Sequence, residues 1–256
     1  MNGIEDLLAE SALVRAPLGL LLGALAGSVA ATLLIRWPDR RRALTGRSRC
    51  DTCGRVLAAS DMVPIVSFLA LGARCRTCRA PIEPRHIVLE TAAAALGMLA
   101  LVAQPGWTGL ATALLGWWLL LVASLDFERR WLPHRLTLPL VPLGLLVAVA
   151  EIGPPLTDRV TGAAAGLVLW LAAWLYQRIR RRPLLYSGVA ELVVGTGAWL
   201  GWKAGAAALA AAALLGVLAY FIARTRRGPG APSVTLAIGA LLALAAWPVW
   251  FVVAGL

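Results

Sequence analysis

The feature that most constrains this chain is a succession of apolar runs, each near the length of a membrane crossing, separated by short gaps that hold nearly all the charge. A helix needs about 20 mainly apolar residues to span the hydrocarbon core. Eight runs meet that description, at about 16–35, 87–103, 107–125, 136–151, 160–176, 184–202, 204–223 and 232–254, with a soft boundary between the sixth and seventh. Composition agrees, since 60% of residues are hydrophobic and 14% charged, where soluble domains carry about a quarter charged. The expected fold is all-α, a polytopic membrane helix bundle of about eight spans.

The net charge of +11 comes from 24 basic against 13 acidic residues, and a basic balance suits nucleic acid or a membrane surface. Position decides between them. Threading the chain alternately through a bilayer puts residues 36–86, 126–135, 177–183 and 224–231 on one side, with 21 of the 24 basic residues. Only Arg15, Arg159 and Lys203 fall on the other. The positive-inside rule then assigns the arginine-rich side to the cytoplasm and both termini to the outside. Lipid is the expected partner and nucleic acid is not. The opening MNGIEDLLAE is acidic and lacks a basic n-region, so no cleavable signal peptide is expected.

Residues 36–86 are too long for a simple connection. They divide the chain into a first span with a short outside N-terminus (1–35), a polar cytoplasmic loop (36–86) and a main helix bundle (87–256). All four cysteines lie in the loop, as CxxC at Cys50 and Cys53 and CxxC at Cys75 and Cys78, with 21 residues between the knuckles. That spacing is close to a zinc ribbon, in which each knuckle presents two thiolates to one tetrahedral ion. The competing reading is a disulfide pair, against which stands a loop placed in a reducing cytoplasm. A tetrathiolate leaves no open position, so a metal here would be structural. Arg47, Arg49, Arg74, Arg76 and Arg79 suit nucleic acid by charge, but the loop has only Phe68 as a stacking platform. No internal repeat is expected. Gly195, Gly197 and Gly201 are small residues at which helices could pack closely.

Carboxylates at the membrane edge are costly and count as functional candidates. Asp126 closes the third run, where Arg129 or Arg130 could neutralise it at the interface. Glu191 lies in the sixth run with no charged neighbour in sequence. Two such acids on different helices at one depth could share a proton, one activating water and the other protonating the leaving group. His86 and His134 are the only histidines, and no serine or cysteine sits in a nucleophile context. No glycine-rich phosphate motif is present. Transport is a weaker expectation, because no run is obviously broken and midplane charges are absent.

These residues together resemble the type IV prepilin leader peptidases, a family of bifunctional bacterial membrane enzymes. Gly27 and Ser28 followed by Arg36 and Pro38 resemble a degraded form of the family's G-S-F-L-N-V-x-I-x-R-L-P stretch. The paired CxxC region matches more closely, with Asp61, Pro64, Ser67, Arg85 and Glu90 among the shared positions. LDFERRWLPHRLTLP is similar to the family's first aspartate motif, D-x6-P-D-x-L-T-L-P, with Asp126 on the aspartate and His134 where the family often has a second, non-catalytic acid. The resemblance implies an eight-helix aspartic peptidase of the bacterial inner membrane. It would cut the leader from type IV prepilins or type II secretion pseudopilins at the cytoplasmic face. N-methylation of the new amino terminus from S-adenosylmethionine would follow.

The second motif departs from the pattern. The family places G-x-G-D-x-K a fixed distance before G-A-W-L-G, which this chain keeps as residues 197–201. Counting back without a gap puts Gly188 on the second glycine, Val189 on the aspartate and Glu191 on the lysine; a two-residue shift puts Glu191 on the aspartate. Two expectations follow, an active peptidase using Asp126 with Glu191, or an inactive relative that binds pilin-like precursors or assembly partners.

Overall fold

The computed structural model describes residues 11–41, 43, 45–181, 188–227 and 235–255. Among them every regular element is helical, apart from two isolated β-bridges, which meets the all-α expectation. Five helices are long and apolar enough to cross a membrane, and two shorter helical stretches are apolar, so this is a membrane protein. The count of eight is not reached by helix length and composition alone. The expected sixth run, 184–202, starts among undescribed residues and is helical from Val189, and the eighth, 232–254, is helical from Ile238. The first ten residues, and with them the expected outside N-terminus, lie outside the described residues.

The chain divides into two compact units, Met1–Trp117 and Trp118–Leu256. The first holds α1 (Ala12–Arg36), a 3-10 turn (Ala59–Asp61), the short α2 (Val66–Ala70) and α3 (Arg85–Ala103). The helix α4 (Gly106–Arg129) begins there and ends in the second unit. α1 and α3 run antiparallel along a stripe of small residues at a spacing of four, the helical repeat. Gly19 faces Gly97, Gly23 faces Ala93 and Gly27 faces Leu89, and a Cβ at Gly19 would stand 2.5 Å from the carbonyl oxygen of Gly97. Backbones approach this closely only where side chains are absent.

The second unit continues with α5 (His134–Thr137), α6 (Leu140–Val149), α7 (Leu156–Arg180), α8 (Val189–Arg227) and α9 (Ile238–Ala254). α5, α6 and α7 each start directly after a proline, Pro133, Pro139 and Pro155, where the missing N–H costs nothing. α8 is two helices joined at Gly201, whose φ of 76° and ψ of −174° suit only glycine. A Cβ on Gly205 would lie 3.7 Å from the Cα of Gly197, whereas these positions are about 12 Å apart in a straight helix. The chain therefore doubles back on itself at Gly201, where sequence placed the soft boundary. Of the three glycines expected to aid packing, Gly197 meets Gly162 of α7 and Gly195 meets Leu140, while Gly201 makes the turn.

One buried cation organises the loop ahead of α7. Arg159 is 0% exposed. It donates to the carbonyls of Gly144 (2.7 Å), Pro154 (2.9 Å) and Ile152, and stands 5.0 Å from the ring centre of Trp250. Trp250 packs edge-on against Trp199, whose indole N–H donates to Leu140. A guanidinium is tolerated in such a place because its donors meet carbonyls and its face meets a ring.

Candidate active site and cysteine centre

In the first unit the two CxxC segments fold as near copies. Arg49-Cys50-Asp51-Thr52-Cys53-Gly54-Arg55-Val56 and Arg74-Cys75-Arg76-Thr77-Cys78-Arg79-Ala80-Pro81 each close with an antiparallel bridge between first and last residue. Cys50 N–H donates to Arg55 and Gly54 N–H to Cys50; correspondingly, Cys75 N–H donates to Ala80 and Arg79 N–H to Cys75. Even the leading arginines correspond, Arg49 donating to the carbonyl of Gly54 and Arg74 to that of Arg79. Residue identity hid this repeat from the sequence reading, because only arginine, threonine and the cysteines are shared between the copies.

The four sulfurs lie within 4.8 Å of one another, and Cys50 and Cys78 are 3.8 Å apart, with no disulfide. A tetrahedral ion bonded to sulfur at about 2.3 Å sets its ligands about 3.8 Å apart, so the cluster could hold a metal ion. Backbone N–H groups aim at the sulfurs. At Cys75 those of Cys78 and then Thr77 bring the thiol down to about 6. At Cys78 the N–H of Ala80 lowers the thiol, but burial and the sulfurs of Cys53, Cys75 and Cys50 outweigh it and push it up to about 11. Four adjacent thiols cannot all carry charge without a cation among them.

Two acids tie the loop down. The Asp61 side chain, 3% exposed, accepts from Arg55 (2.5 Å) after the first knuckle and from Arg76 (3.0 Å) within the second. The N–H of Ala58, followed by Arg76 and Arg55, holds its carboxyl below the usual value. Glu90 of α3, 5% exposed, accepts the N–H of Ile65 at 2.6 Å. Ile65 has φ 63° and ψ −54°, and Val66 N–H donates to Pro64 across it at 2.6 Å, which makes a strained γ-turn rare for a β-branched residue. Between α1, the loop and α3 lies a cavity of about 410 Å³. Arg36, Asp51, Phe68, His86 and Glu90 are among its walls.

In the second unit Asp126, in the last turn of α4, is 0% exposed. Its Oδ2 accepts the N–H of Ala240 at 2.7 Å, in the first turn of α9. A helix N-terminus offers unpaired N–H groups and favours negative charge. A Cβ on Gly239 would lie 3.2 Å from Asp126 Oδ2 and 2.6 Å from Leu132 Cδ1. Leu132, fully buried, also lies against Gly188, where a Cβ would stand 2.5 Å from its own. Gly188 has φ 89°, a conformation natural to glycine, at the head of α8. Val189 beside it is 1% exposed. Glu191 follows at 17% side-chain exposure, with Oε1 3.1 Å from Nδ1 of His134 and Oε2 buried without a hydrogen-bond partner among the described residues. The loop 130–134 thus links three elements, since Arg130 donates to the carbonyl of Thr235, Leu132 touches Gly188 and Gly239, and His134 meets Glu191. Gly239, Ala240 and Leu132 were not singled out from sequence, and His134 was not expected to pair with Glu191.

Two family models match. Residues 21–104 match the bacterial peptidase A24 N-terminal domain, and residues 113–222 match the type IV leader peptidase family. The chain is 36% identical over 182 residues to the prepilin leader peptidase/N-methyltransferase of Aeromonas salmonicida (strain A449), covering 70% of this chain and 62% of that protein. The protein of the same name from Aeromonas hydrophila is 35% identical over 206 residues, covering 78% of this chain and 70% of the relative. That from Burkholderia pseudomallei (strain K96243) is 38% identical over 196 residues, covering 74% and 62%. No solved structure matches. With both parts of the family matched in order along one chain, and a relative covered over more than two thirds of its length, this chain belongs to the type IV leader peptidase family.

Proposed function

We propose that this protein is a membrane aspartic endopeptidase that removes the leader of type IV prepilin-like precursors at the cytoplasmic face of the bacterial inner membrane. The observation that carries the reading is Asp126, fully buried yet presented to the N-terminus of α9 within the segment matching the leader peptidase model. Asp126 takes a proton from water as the water oxygen attacks the scissile carbonyl carbon. Glu191 gives its proton to the carbonyl oxygen. Collapse of the tetrahedral intermediate breaks the C–N bond, and the departing amine takes up a proton from the acid pair. Asp126→Asn is expected to abolish cleavage of a prepilin-like substrate by the purified chain, and Glu191→Gln to lower it at least about 100-fold. Full activity in either variant overturns the pair.

The topology that goes with this reading has eight crossings, counting the arms of α8 on either side of Gly201 separately. The cysteine loop lies in the cytoplasm and both termini outside. Zinc is the expected ion among Cys50, Cys53, Cys75 and Cys78, with a structural role. The relatives' second named activity, N-methylation, calls for S-adenosylmethionine, whose sulfonium supplies the methyl group. The cavity of the first unit has the size of a small-molecule site, roughly 300–1,000 Å³. Arg36 there suits the donor's carboxylate and Glu90 its ammonium or sulfonium. A second reading, binding of precursors without cutting, has Val189 in its favour, an apolar buried residue where ungapped counting sets the family's second aspartate. Measured cleavage that is lost in Asp126→Asn decides against it.

A further inference from the structure

His134 and Glu191, two of the positions at which this chain departs from the family's polar pattern, are in contact. We infer that His134 is a positioning residue that fixes Glu191 through Oε1 and leaves Oε2 as the oxygen that exchanges a proton with substrate; this rests on the reading of Asp126 and Glu191 as an acid pair. A glutamate side chain has one more rotatable bond than an aspartate, and an unrestrained carboxyl would spread over several rotamers. The Nδ1 contact at 3.1 Å removes that freedom.

The imidazole itself is 58% exposed, so packing around the ring does not hold it. Its backbone is held instead. Two residues before it, Leu132 is wedged against Gly188, and two residues after it the carbonyl of Leu136 accepts the indole N–H of Trp118 at 2.8 Å. Pro133 between them is locked in an extended conformation, φ −69° and ψ 137°. From the Leu132–Gly188 contact, two residues along the loop lead to His134 and three along α8 to Glu191, nearly one helical turn. With Nδ1–H as the donor to Oε1, a proton on Glu191 would reside on Oε2. That oxygen is buried and has no hydrogen-bond partner among the described residues, and a buried polar atom in that state is open to water, a ligand or a reactant.

Single-turnover cleavage of a synthetic prepilin-like precursor by the purified full chain in detergent tests this. His134→Ala should lower the cleavage rate constant about 10- to 100-fold, with substrate affinity changed less than about twofold. His134→Asn, whose side-chain amide can donate to Oε1, should recover most of the loss. In a Glu191→Gln background the further change His134→Ala should have no effect. An unchanged rate in His134→Ala, or an equal loss in the Glu191→Gln background, overturns the inference while leaving Asp126 in place. Activity surviving Glu191→Gln sinks the acid pair itself. A readout independent of turnover is the Nδ1 proton resonance of His134 in histidine-labelled protein. It should appear as hydrogen-bonded in the wild type and vanish in Glu191→Leu, which leaves no acceptor; a resonance indifferent to that change overturns the contact in active and inactive protein alike.

Discussion

Asp126 is held by a helix far away in sequence. The Ala240 N–H that it accepts lies 114 positions on, beyond the segment matching the leader peptidase model. Gly239 makes the approach feasible. Gly239→Ala would drive a methyl toward Leu132 Cδ1 and Asp126 Oδ2, and is expected to slow cleavage at least about tenfold. Helix content by circular dichroism should stay at the wild-type level. Sequence reading reached Asp126 because its motif is local, and Glu191 because an acid in an apolar run stands out. It could not reach Gly239, Ala240 or the His134–Glu191 pair, since each depends on a long-range contact that no local periodicity records. Asp61 sits at the same scale. Its carboxyl is held below the ordinary value, so its support for the loop is complete above that value and fades as pH falls through the still lower folded one. Asp61→Asn should remove this component, flattening the acid dependence of loop protection in hydrogen exchange relative to wild type.

Among the elements, the cysteine loop behaves as a small structure built twice. Each knuckle is closed by its own backbone bonds, and Asp61 joins the two through Arg55 and Arg76. The loop has little apolar core: Cys75 is its one buried hydrophobic residue among the described positions. A metal ion held by the four thiolates would therefore supply much of its folding free energy. The purified chain is expected to hold one zinc per molecule by elemental analysis, and Cys75→Ser to lose it. Chelation should open the arginines near the knuckles to trypsin while the apolar helices remain protected. The spacing of the CxxC pairs made this element legible, whereas the γ-turn at Ile65 was not. That turn needs Glu90 to accept its N–H, and nothing local to Pro64-Ile65-Val66 announces it.

At the scale of the whole molecule, charge placement and apolar length determine what the chain is, and small residues determine how its helices meet. All four cysteines lie in one loop, which makes topology testable without engineering. A membrane-impermeant thiol reagent is expected to leave right-side-out vesicles unlabelled and to label inside-out vesicles once metal is chelated. Arg159 supplies donors to three carbonyls at the start of α7. Arg159→Met should destabilise the detergent-solubilised protein by about 2–4 kcal/mol, read as a lowered unfolding midpoint. The turn at Gly201 bears on biosynthesis. If each arm crosses the bilayer, the single residue between them leaves no loop to separate two insertion events. The halves of α8 would then leave the translocon as a pair, and a bulky residue at Gly201 is expected to be felt first as failed insertion of the nascent chain, before any effect on the finished enzyme.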